Sequence, residues 1–463
     1  MKLAKKSWTI LLLVVMLSTL LIACGKTNEN NDNNNTPSSV EGSTTPNQEN
    51  NSLDGSQQGE GASADPVTIT VAFPWGEEIF NNRFKEIDEK LPNIDIKMVA
   101  CECKSTSLQE LFASGINPDI IFPNYGISHV ESLDIIHPLD DLAKSNNFDV
   151  DTLNPGLVSY IRSLDSEGRL IGIPDGTGYT SLFYNKEIFD LFGEPYPTEK
   201  MTWDQAFDLA RKMTGQRNGV SYLGLELGGR GNVGDGAAVP LKELAVNRTD
   251  PNTGEVLITK DPAFSKYLEL MKKYYSIPGV RSEEAKNSDL FGKKQAAMTV
   301  NWTAYFVGGN PFEDVEYLKN NIAMLPVPVW ADQPNIGPAL GTTPMIISNL
   351  SEHKAEAFSV LKEYVSVANQ TKISKSMASG PVLTEVADQY GSDIENYVGQ
   401  DVTSVFKLTP ATYKGRQSLW DQYVNLDLAK FADSDMNIQE FLRVIKEEAE
   451  TAITEAKTQN AKK

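Results

Sequence analysis

Residues 67–100 read VTITVAFPWGEEIFNNRFKEIDEKLPNIDIKMVA, and this stretch decides the class of the fold. Apolar residues alternate over Val67–Phe73 and again over 94–98, which predicts two strands. Between them, apolar residues recur at helical spacing until Pro92 ends the predicted helix. A second short helix and a buried strand at 119–122 follow. The order β-α-β-α-β predicts a parallel sheet covered by helices, and therefore an α/β fold.

The rest of the chain is predicted to be mostly helical, with strands between the helices. Thr202 and Gln205 have the spacing of a capping box, which predicts that a helix starts here. Asn437 and Glu440 predict the start of a long C-terminal helix in the same way. About 400 residues follow residue 65, which is enough for two or more domains.

The first 24 residues have the pattern of a bacterial export signal. Lysines at positions 2, 5 and 6 precede an apolar run at 10–22, which is shorter than the ~20 residues of a membrane-spanning helix. The run ends at Ala23 and Cys24, and this ending resembles a bacterial lipobox. We expect residues 1–23 to be a signal peptide and Cys24 to carry lipid. The alternative is a buried cysteine after an ordinary signal peptide.

Residues 24–65 have the composition of a tether. After Cys24 they are rich in Asn, Ser, Thr, Gly, Gln and Pro and contain no aromatic residue. Such a segment cannot bury enough apolar surface to offset the entropy of ordering it. As a flexible coil it would span roughly 35 Å. We therefore expect the protein to be lipid-anchored at the outer face of the cell membrane, in a Gram-positive cell.

The charge and the cysteines exclude several classes of partner. The formal net charge is −20 at pH 7, which argues against nucleic acid and anionic lipid as partners. Cys101 and Cys103 would close a strained disulfide loop, and they supply too few ligands for a structural zinc site. The pattern favours two ordinary thiols at a strand end over a disulfide or a metal site. We expect no metal and no cofactor.

Three motifs in a fixed order carry a family resemblance. The first is GRLIGIP at 168–174 followed by LFYNKEIF at 182–189 and the helix start at Thr202. The second is FGKKQAAM at 291–298, in which Lys294 replaces the glycine of the family pattern, and the third is AMLPVP at 323–328. From residue 66 to the C-terminus the chain resembles the family 1 extracellular solute-binding proteins, the receptors of carbohydrate ABC importers.

The resemblance implies a periplasmic-binding-protein-like fold, with two α/β lobes, hinge crossings and a central cleft. Lobe 1 is expected at 66–178 plus 342–370, and lobe 2 at 179–341 plus 371–463. The crossings are expected near Gly178 and Gly341, because glycines absorb backbone rotation at low steric cost. The implied function is capture of a saccharide, an oligosaccharide above all, by a monomer that delivers it to the permease subunits of an ABC importer.

Candidate ligand-binding residues in lobe 1 follow the first and third strands. A sugar offers C–H faces for aromatic rings and hydroxyls for carboxylates or amides. Ligands of open α/β sheets lie beyond the carboxyl ends of the strands. This geometry selects Trp75, Glu77, Glu78, Asn124 and Tyr125. The alternatives are core packing for Trp75 and helix N-terminal acids for the two glutamates.

Candidates near the first crossing and in lobe 2 are fewer. Asp175 and Tyr179 flank the first crossing. Trp302 and Tyr305 follow the apolar strand of the second motif, where the family places an aromatic residue that stacks on the ligand. Trp302 is the strongest single candidate.

The remaining motifs argue against catalysis and against phosphate binding. The run GRGNVG at 229–234 matches G-x-G-x-x-G, but Asp235 places an acid beside the phosphate position and Pro240 is expected to interrupt the helix that must follow. A loop near the cleft is the favoured interpretation. The histidines are scattered and no G-x-S-x-G or Walker A motif is present. We expect no enzyme. The alternatives are a surface carbohydrate-active enzyme and a sugar-sensing subunit of a signalling system.

Overall fold

The structure, a computed structural model, describes residues 66–229, 231–307, 311–312, 314–377 and 379–460. The expected signal peptide (1–23), the lipidated Cys24 and the tether (24–65) lie outside the described residues. The strands are β1 (Val67–Phe73), β2 (Ile94–Ala100), β3 (Ile120–Ile121), β4 (Ile173–Pro174), β5 (Thr180–Asn185), β6 (Gly215–Arg217), β7 (Val220–Glu226), β8 (Ala296–Trp302), β9 (Ile322–Pro326), β10 (Ile336–Gly337), β11 (Pro344–Ile347) and β12 (Thr409–Pro410).

Helices alternate with these strands along the chain. They are α1 (Glu77–Lys90), α2 (Ser105–Ala113), α3 (Ser128–Glu131), α4 (Asp140–Ser145), α5 (Pro155–Leu164), α6 (Lys186–Phe192), α7 (Trp203–Lys212), α8 (Asp235–Leu244), α9 (Pro262–Tyr275), α10 (Glu283–Asn287), α11 (Val315–Asn321), α12 (Lys354–Tyr364), α13 (Val367–Ser376), α14 (Leu428–Ala432) and α15 (Ile438–Asn460). Within the part of the chain that the structure describes, no helix is long and apolar enough to cross a membrane.

Lobe 1 is built on a sheet of order β2-β1-β3-β11-β4. Strand β1 pairs in parallel with β2 and β3, so the β-α-β-α-β prediction is confirmed. Strand β11 runs antiparallel to both β3 and β4, which makes the sheet mixed. The core beneath it contains Phe73, Phe84 and Phe122, all fully buried and in edge-to-face contact. Each buried ring stabilises the fold by about 1.5–3 kcal/mol relative to an exposed ring.

Lobe 2 is built on a sheet of order β6-β7-β8-β5-β9. The first residues of β5 pair with the last residues of its neighbours, Thr180 with Trp302 and Ser181 with Pro326. The carboxyl ends of β8 and β9 therefore lie at the same end of the sheet as the start of β5, where the chain enters the lobe. Both predicted helix starts are confirmed: Thr202 accepts a hydrogen bond from the Gln205 amide, and Asn437 accepts one from the Glu440 amide.

The two crossings between the lobes lie side by side. The hydroxyl of Thr177 donates to the carbonyl of Gly341 at 2.9 Å, and the Asp175 amide donates to the carbonyl of Thr343 at 3.1 Å. The core of lobe 1 continues beyond residue 370 and includes Val386, whereas Tyr390 belongs to the core of lobe 2. Because buried contacts define a lobe better than the motif spacing, we propose a third crossing at 387–389 in place of the boundary at 370.

Candidate ligand-binding site

A cavity of about 340 Å³ lies where the crossings meet lobe 2. This volume falls in the range of small-molecule sites, roughly 300–1,000 Å³. Its wall combines α5 of lobe 1, both crossings, the ends of β8 and β9, α8 and a C-terminal segment. The described lining residues are Tyr160, Gly178, Tyr179, Thr180, Lys242, Trp302, Pro326, Val327, Gly337, Pro338, Ala339, Leu340, Gly341, Val405, Leu408, Pro410, Tyr413 and Gln417.

Trp302 forms part of this wall at the end of β8. Its indole Nε1 donates a hydrogen bond to Asp235 Oδ2 at 2.6 Å, and the Lys242 ammonium lies 5.2 Å from the ring centroid. The indole also rests against the backbone of Gly178. The ring is half-buried. Its orientation is therefore fixed on three sides by this chain's own residues, as a binding platform requires.

Tyr179 and Asp175 flank the first crossing but make different contacts. The ring of Tyr179 is 8% exposed and packs edge-on against Phe406 at 5.0 Å, while it also lines the cavity. The Asp175 carboxylate forms an ion pair with Arg83 and accepts a hydrogen bond from the Tyr364 hydroxyl. Asp175 is thus engaged inside lobe 1, and it holds α1 to the crossing.

The lobe 1 candidates lie outside the cavity wall. Trp75 is half-buried, packs edge-on against Phe73 at 5.1 Å and carries the Arg83 guanidinium 4.8 Å above its ring. Glu77 and Glu78 are exposed acids in the first turn of α1. Acids at this position are favoured by the helix dipole, which accounts for them without a ligand.

The loop after β3 presents an exposed aromatic ring. Tyr125 is 51% exposed, with the Lys104 ammonium 4.1 Å from its centroid and His129 at its edge. Asn124 beside it is exposed too. The described cavity wall includes neither residue. Their contact with a ligand remains a prediction, as it does for the other candidates.

Tyr305 is held by other residues of lobe 2. Its hydroxyl donates to Asp289 Oδ2 at 2.5 Å, and its ring packs against Phe306 and Phe291. Burial raises the pKa of this phenol, and the neighbouring Asp289 raises it further. The ring and the hydroxyl both contact residues of this chain, and Tyr305 is not among the described residues that line the cavity.

Sequence reasoning missed Lys242, Tyr160 and Tyr413 in the cavity wall. Lys242 lies on a helix that Pro240 was expected to interrupt, and that expectation is wrong. Helix α8 runs from Asp235 to Leu244 through Pro240. The carbonyl of Pro240 accepts a hydrogen bond from Trp330 Nε1 at 2.9 Å, so tertiary contacts stabilise a helix that the proline weakens.

The glycine-rich loop joins β7 to α8 beside the cavity. Asn232 is buried and fixes the loop, accepting from the Leu227 amide and donating to the Val280 carbonyl. Gly228 and Gly231 have positive φ, which a side chain would strain. The loop thus delivers Asp235 to the start of α8, where its carboxylate bonds Trp302 rather than leaving an open phosphate site.

Metal ligands are not gathered at the site. Among the described residues there is no group of three or more His, Cys, Asp and Glu side chains that could hold a metal ion. Cys101 and Cys103 are free thiols after β2, and the Cys103 amide donates to Cys101 Sγ at 2.9 Å.

Two lobes joined by paired crossings, with a cavity between them, define the class of a two-lobed binding protein. The model of the family described as bacterial extracellular solute-binding protein matches residues 73–371. The chain belongs to this family. The resemblance seen in the sequence motifs is therefore confirmed. A search of curated protein sequences gave no match.

Solved structures share the fold at low sequence identity. A sugar transporter from Rhizobium etli in an open conformation has a TM-score of 0.64 at 19% identity, covering 83% of this chain and 99% of its own. CpMnBP1 with mannotriose bound has a TM-score of 0.60 at 18% identity, covering 83% and 100%. The substrate-binding protein Lmo0181 from Listeria monocytogenes, in complex with cycloalternan, has a TM-score of 0.59 at 18% identity, covering 84% of this chain and 100% of its own. At this identity the likeness establishes the fold.

Proposed function

We propose that this protein captures a saccharide outside the cell and delivers it to the permease of an ABC importer. The observation that carries the proposal is the cavity at the two crossings, with Trp302 in its wall. A large flat indole suits the C–H face of a sugar ring. The fold relatives with mannotriose and cycloalternan bound support the same ligand class.

The lipobox-like sequence supports a lipid anchor at Cys24 on the outer face of the membrane, with residues 25–65 as a tether. In this arrangement the receptor is a monomer that reaches the permease without leaving the cell surface. The protein is a binding protein without catalytic activity of its own. The family and the fold relatives named above support this part of the proposal.

The proposal is tested by a thermal-shift screen of monosaccharides and oligosaccharides, followed by calorimetry on each hit. A ligand that binds only the folded state raises the melting temperature, by an amount that grows with the ratio of ligand concentration to Kd. At least one saccharide should bind with a one-to-one stoichiometry. If neutral and acidic saccharides all leave the melting temperature unchanged at millimolar concentration, saccharide capture is wrong.

A further inference from the structure

The charge of the cavity differs from the charge of the whole protein. The chain has a formal net charge of −20. Among the described residues that line the cavity, however, none is Asp or Glu, and Lys242 is the only one with a charged side chain. A receptor for neutral sugars gains from carboxylates that accept hydrogen bonds from sugar hydroxyls. An acid-free wall with one ammonium is instead suited to a ligand that brings its own negative charge.

The ammonium of Lys242 has no carboxylate partner among the described residues. The nearest recorded contact of its Nζ is the ring of Trp302, whose centroid is 5.2 Å away. The one carboxylate whose charge acts on Lys242 is that of Asp235, and it accepts the hydrogen bond from Trp302 Nε1 without forming an ion pair with the ammonium. The guanidinium of Arg248, the other nearby cation, donates to the carbonyl of Val424.

This arrangement costs free energy. Placing an ammonium in a partly dry site with no carboxylate in direct contact is unfavourable. Burial accordingly lowers the pKa of Lys242, against a smaller opposing effect of Asp235. The helix that carries Lys242 is nevertheless held in place, because the Lys242 carbonyl accepts a hydrogen bond from the Ala339 amide of the second crossing at 3.0 Å. The backbone that carries the charge is thus fixed by this chain's own contacts.

We propose that the ligand is an acidic saccharide whose carboxylate pairs with Lys242, that is, a saccharide containing a uronic acid. The inference rests on the proposed function and names its substrate class. A carboxylate carries one negative charge, which one ammonium neutralises. A phosphate or sulfate ester is more often held by the fork of an arginine or by several backbone amides. The described residues that line the cavity include no arginine and no first turn of an α-helix.

The test uses the full mature chain and matched pairs of probes. Oligouronides from galacturonan, from alginate and from hyaluronan are compared by calorimetry with their methyl esters, which keep the shape and lose the charge. Mannotriose, maltose and glucose 6-phosphate complete the set. Three variants are measured beside the wild type: Lys242→Met, Lys242→Arg and the control Lys266→Met. Lys266 makes a similar contact with an indole, 4.3 Å from Trp330, outside the described cavity wall.

One oligouronide should bind, and its methyl ester should bind roughly 10- to 150-fold more weakly, as expected for loss of a charged hydrogen bond. Lys242→Met should lower the affinity for the oligouronide by a similar factor and leave the affinity for the methyl ester unchanged. Lys242→Arg should recover part of the affinity for the oligouronide. The control Lys266→Met should bind both ligands as the wild type does. Without ligand, Lys242→Met should melt higher than the wild type, because an unpaired charge has been removed.

Three results would overturn the inference and leave saccharide capture intact. The first is a neutral saccharide that binds as tightly as any oligouronide. The second is an acidic ligand whose affinity Lys242→Met does not change. The third is tighter binding of glucose 6-phosphate than of any oligouronide, which would make the charged group of the ligand a phosphate. If no probe of either kind binds, the proposed function fails, and the substrate class fails with it.

Discussion

The indole of Trp302 lies directly against Gly178, so closely that a β-carbon added at Gly178 would be 2.2 Å from Cζ3 of the ring. The backbone of Gly178 is outside the left-handed region, so the conformation alone would accept any residue. The indole is what requires a glycine here. The hinge segment and the candidate binding platform are thus in direct contact, and a displacement of one must move the other.

The first prediction concerns this contact. Gly178→Ala should destabilise the protein by about 1–3 kcal/mol, since overpacking forces the indole or the backbone to shift. In the Trp302→Ala background the same change should cost much less, because the obstructing ring is gone. Urea unfolding of the two single variants and the double variant measures this coupling. Gly341→Ala is the control, because a β-carbon there meets its nearest neighbour, Tyr160, at an ordinary 3.7 Å.

The second prediction separates a binding tryptophan from a structural one. Trp302→Ala should weaken saccharide binding roughly 5- to 150-fold, which corresponds to about 1–3 kcal/mol of lost stacking. Its melting temperature should change modestly, since the ring is half-buried and its partner Asp235 is exposed to water. Trp330→Ala should lower the melting temperature strongly and change saccharide affinity little, because Trp330 is 8% exposed and its Nε1 donates a hydrogen bond to the carbonyl of Pro240. If Trp302→Ala and Trp330→Ala weaken saccharide binding equally, Trp302 is not a specific binding residue.

The sequence predicted those parts of the fold that depend on local pattern. Alternation over β1 and β2 and the capping residues Thr202 and Asn437 led to the correct elements. The antiparallel insertion of β11 and the packing of Val386 in the core of lobe 1 were missed, because contacts between distant segments leave no periodic trace. Such features depend on tertiary contacts that a single sequence does not display.

The candidate site was predicted less completely than the fold. Trp302 could be placed because it ends a strand of recognisable pattern. Lys242 could not be placed, because its helix contains Pro240 and helix propensity alone argues against a helix there. Tyr413 and Gln417 lie in a C-terminal segment without regular structure in the described chain, so no periodicity marks the face that they present to the cavity.

The third prediction concerns the anchor. Cys24→Ala should abolish lipid attachment and release the protein from the membrane fraction into the medium, because the lipid holds the tether. Metabolic labelling with palmitate, together with fractionation and immunoblotting, measures both effects. Cys101→Ala is the control, since Cys101 is one of the two free thiols of lobe 1 and should leave labelling unchanged. Full retention of Cys24→Ala at the membrane would contradict the anchor.

The fourth prediction concerns motion between the lobes. Saturating saccharide should reduce the radius of gyration in solution scattering, because two-lobed binding proteins close on their ligands through a few hinge residues. The hydrogen bond from Thr177 to the Gly341 carbonyl ties the two crossings together, so they should move as one hinge. A scattering curve that stays unchanged with a ligand shown by calorimetry to be bound would exclude closure.

The fifth prediction concerns pH and a buried acid of lobe 2. Glu226 is 4% exposed and its carboxyl accepts hydrogen bonds from the amides of Leu290 and Phe291. Burial, and secondly the charge of Asp289, raise its pKa to about 7 from an ordinary 4.5. Between these two pH values the folded state holds a proton that the unfolded state has released. The contribution of Glu226 to stability is therefore fully present below pH 4.5 and is lost as the pH rises through about 7.

Replacing Glu226 with Gln should remove this dependence, because the amide resembles the protonated acid and does not titrate. At pH 8 the Gln variant should be more stable than the wild type by about 3 kcal/mol, an order-of-magnitude value from the shift in pKa. Near pH 4.5 the two should have similar free energies of unfolding. Urea unfolding at pH 4.5, 6 and 8 measures the difference. A gap that does not widen with pH would show that Glu226 titrates with an ordinary pKa and that the amides of Leu290 and Phe291 stabilise its charge.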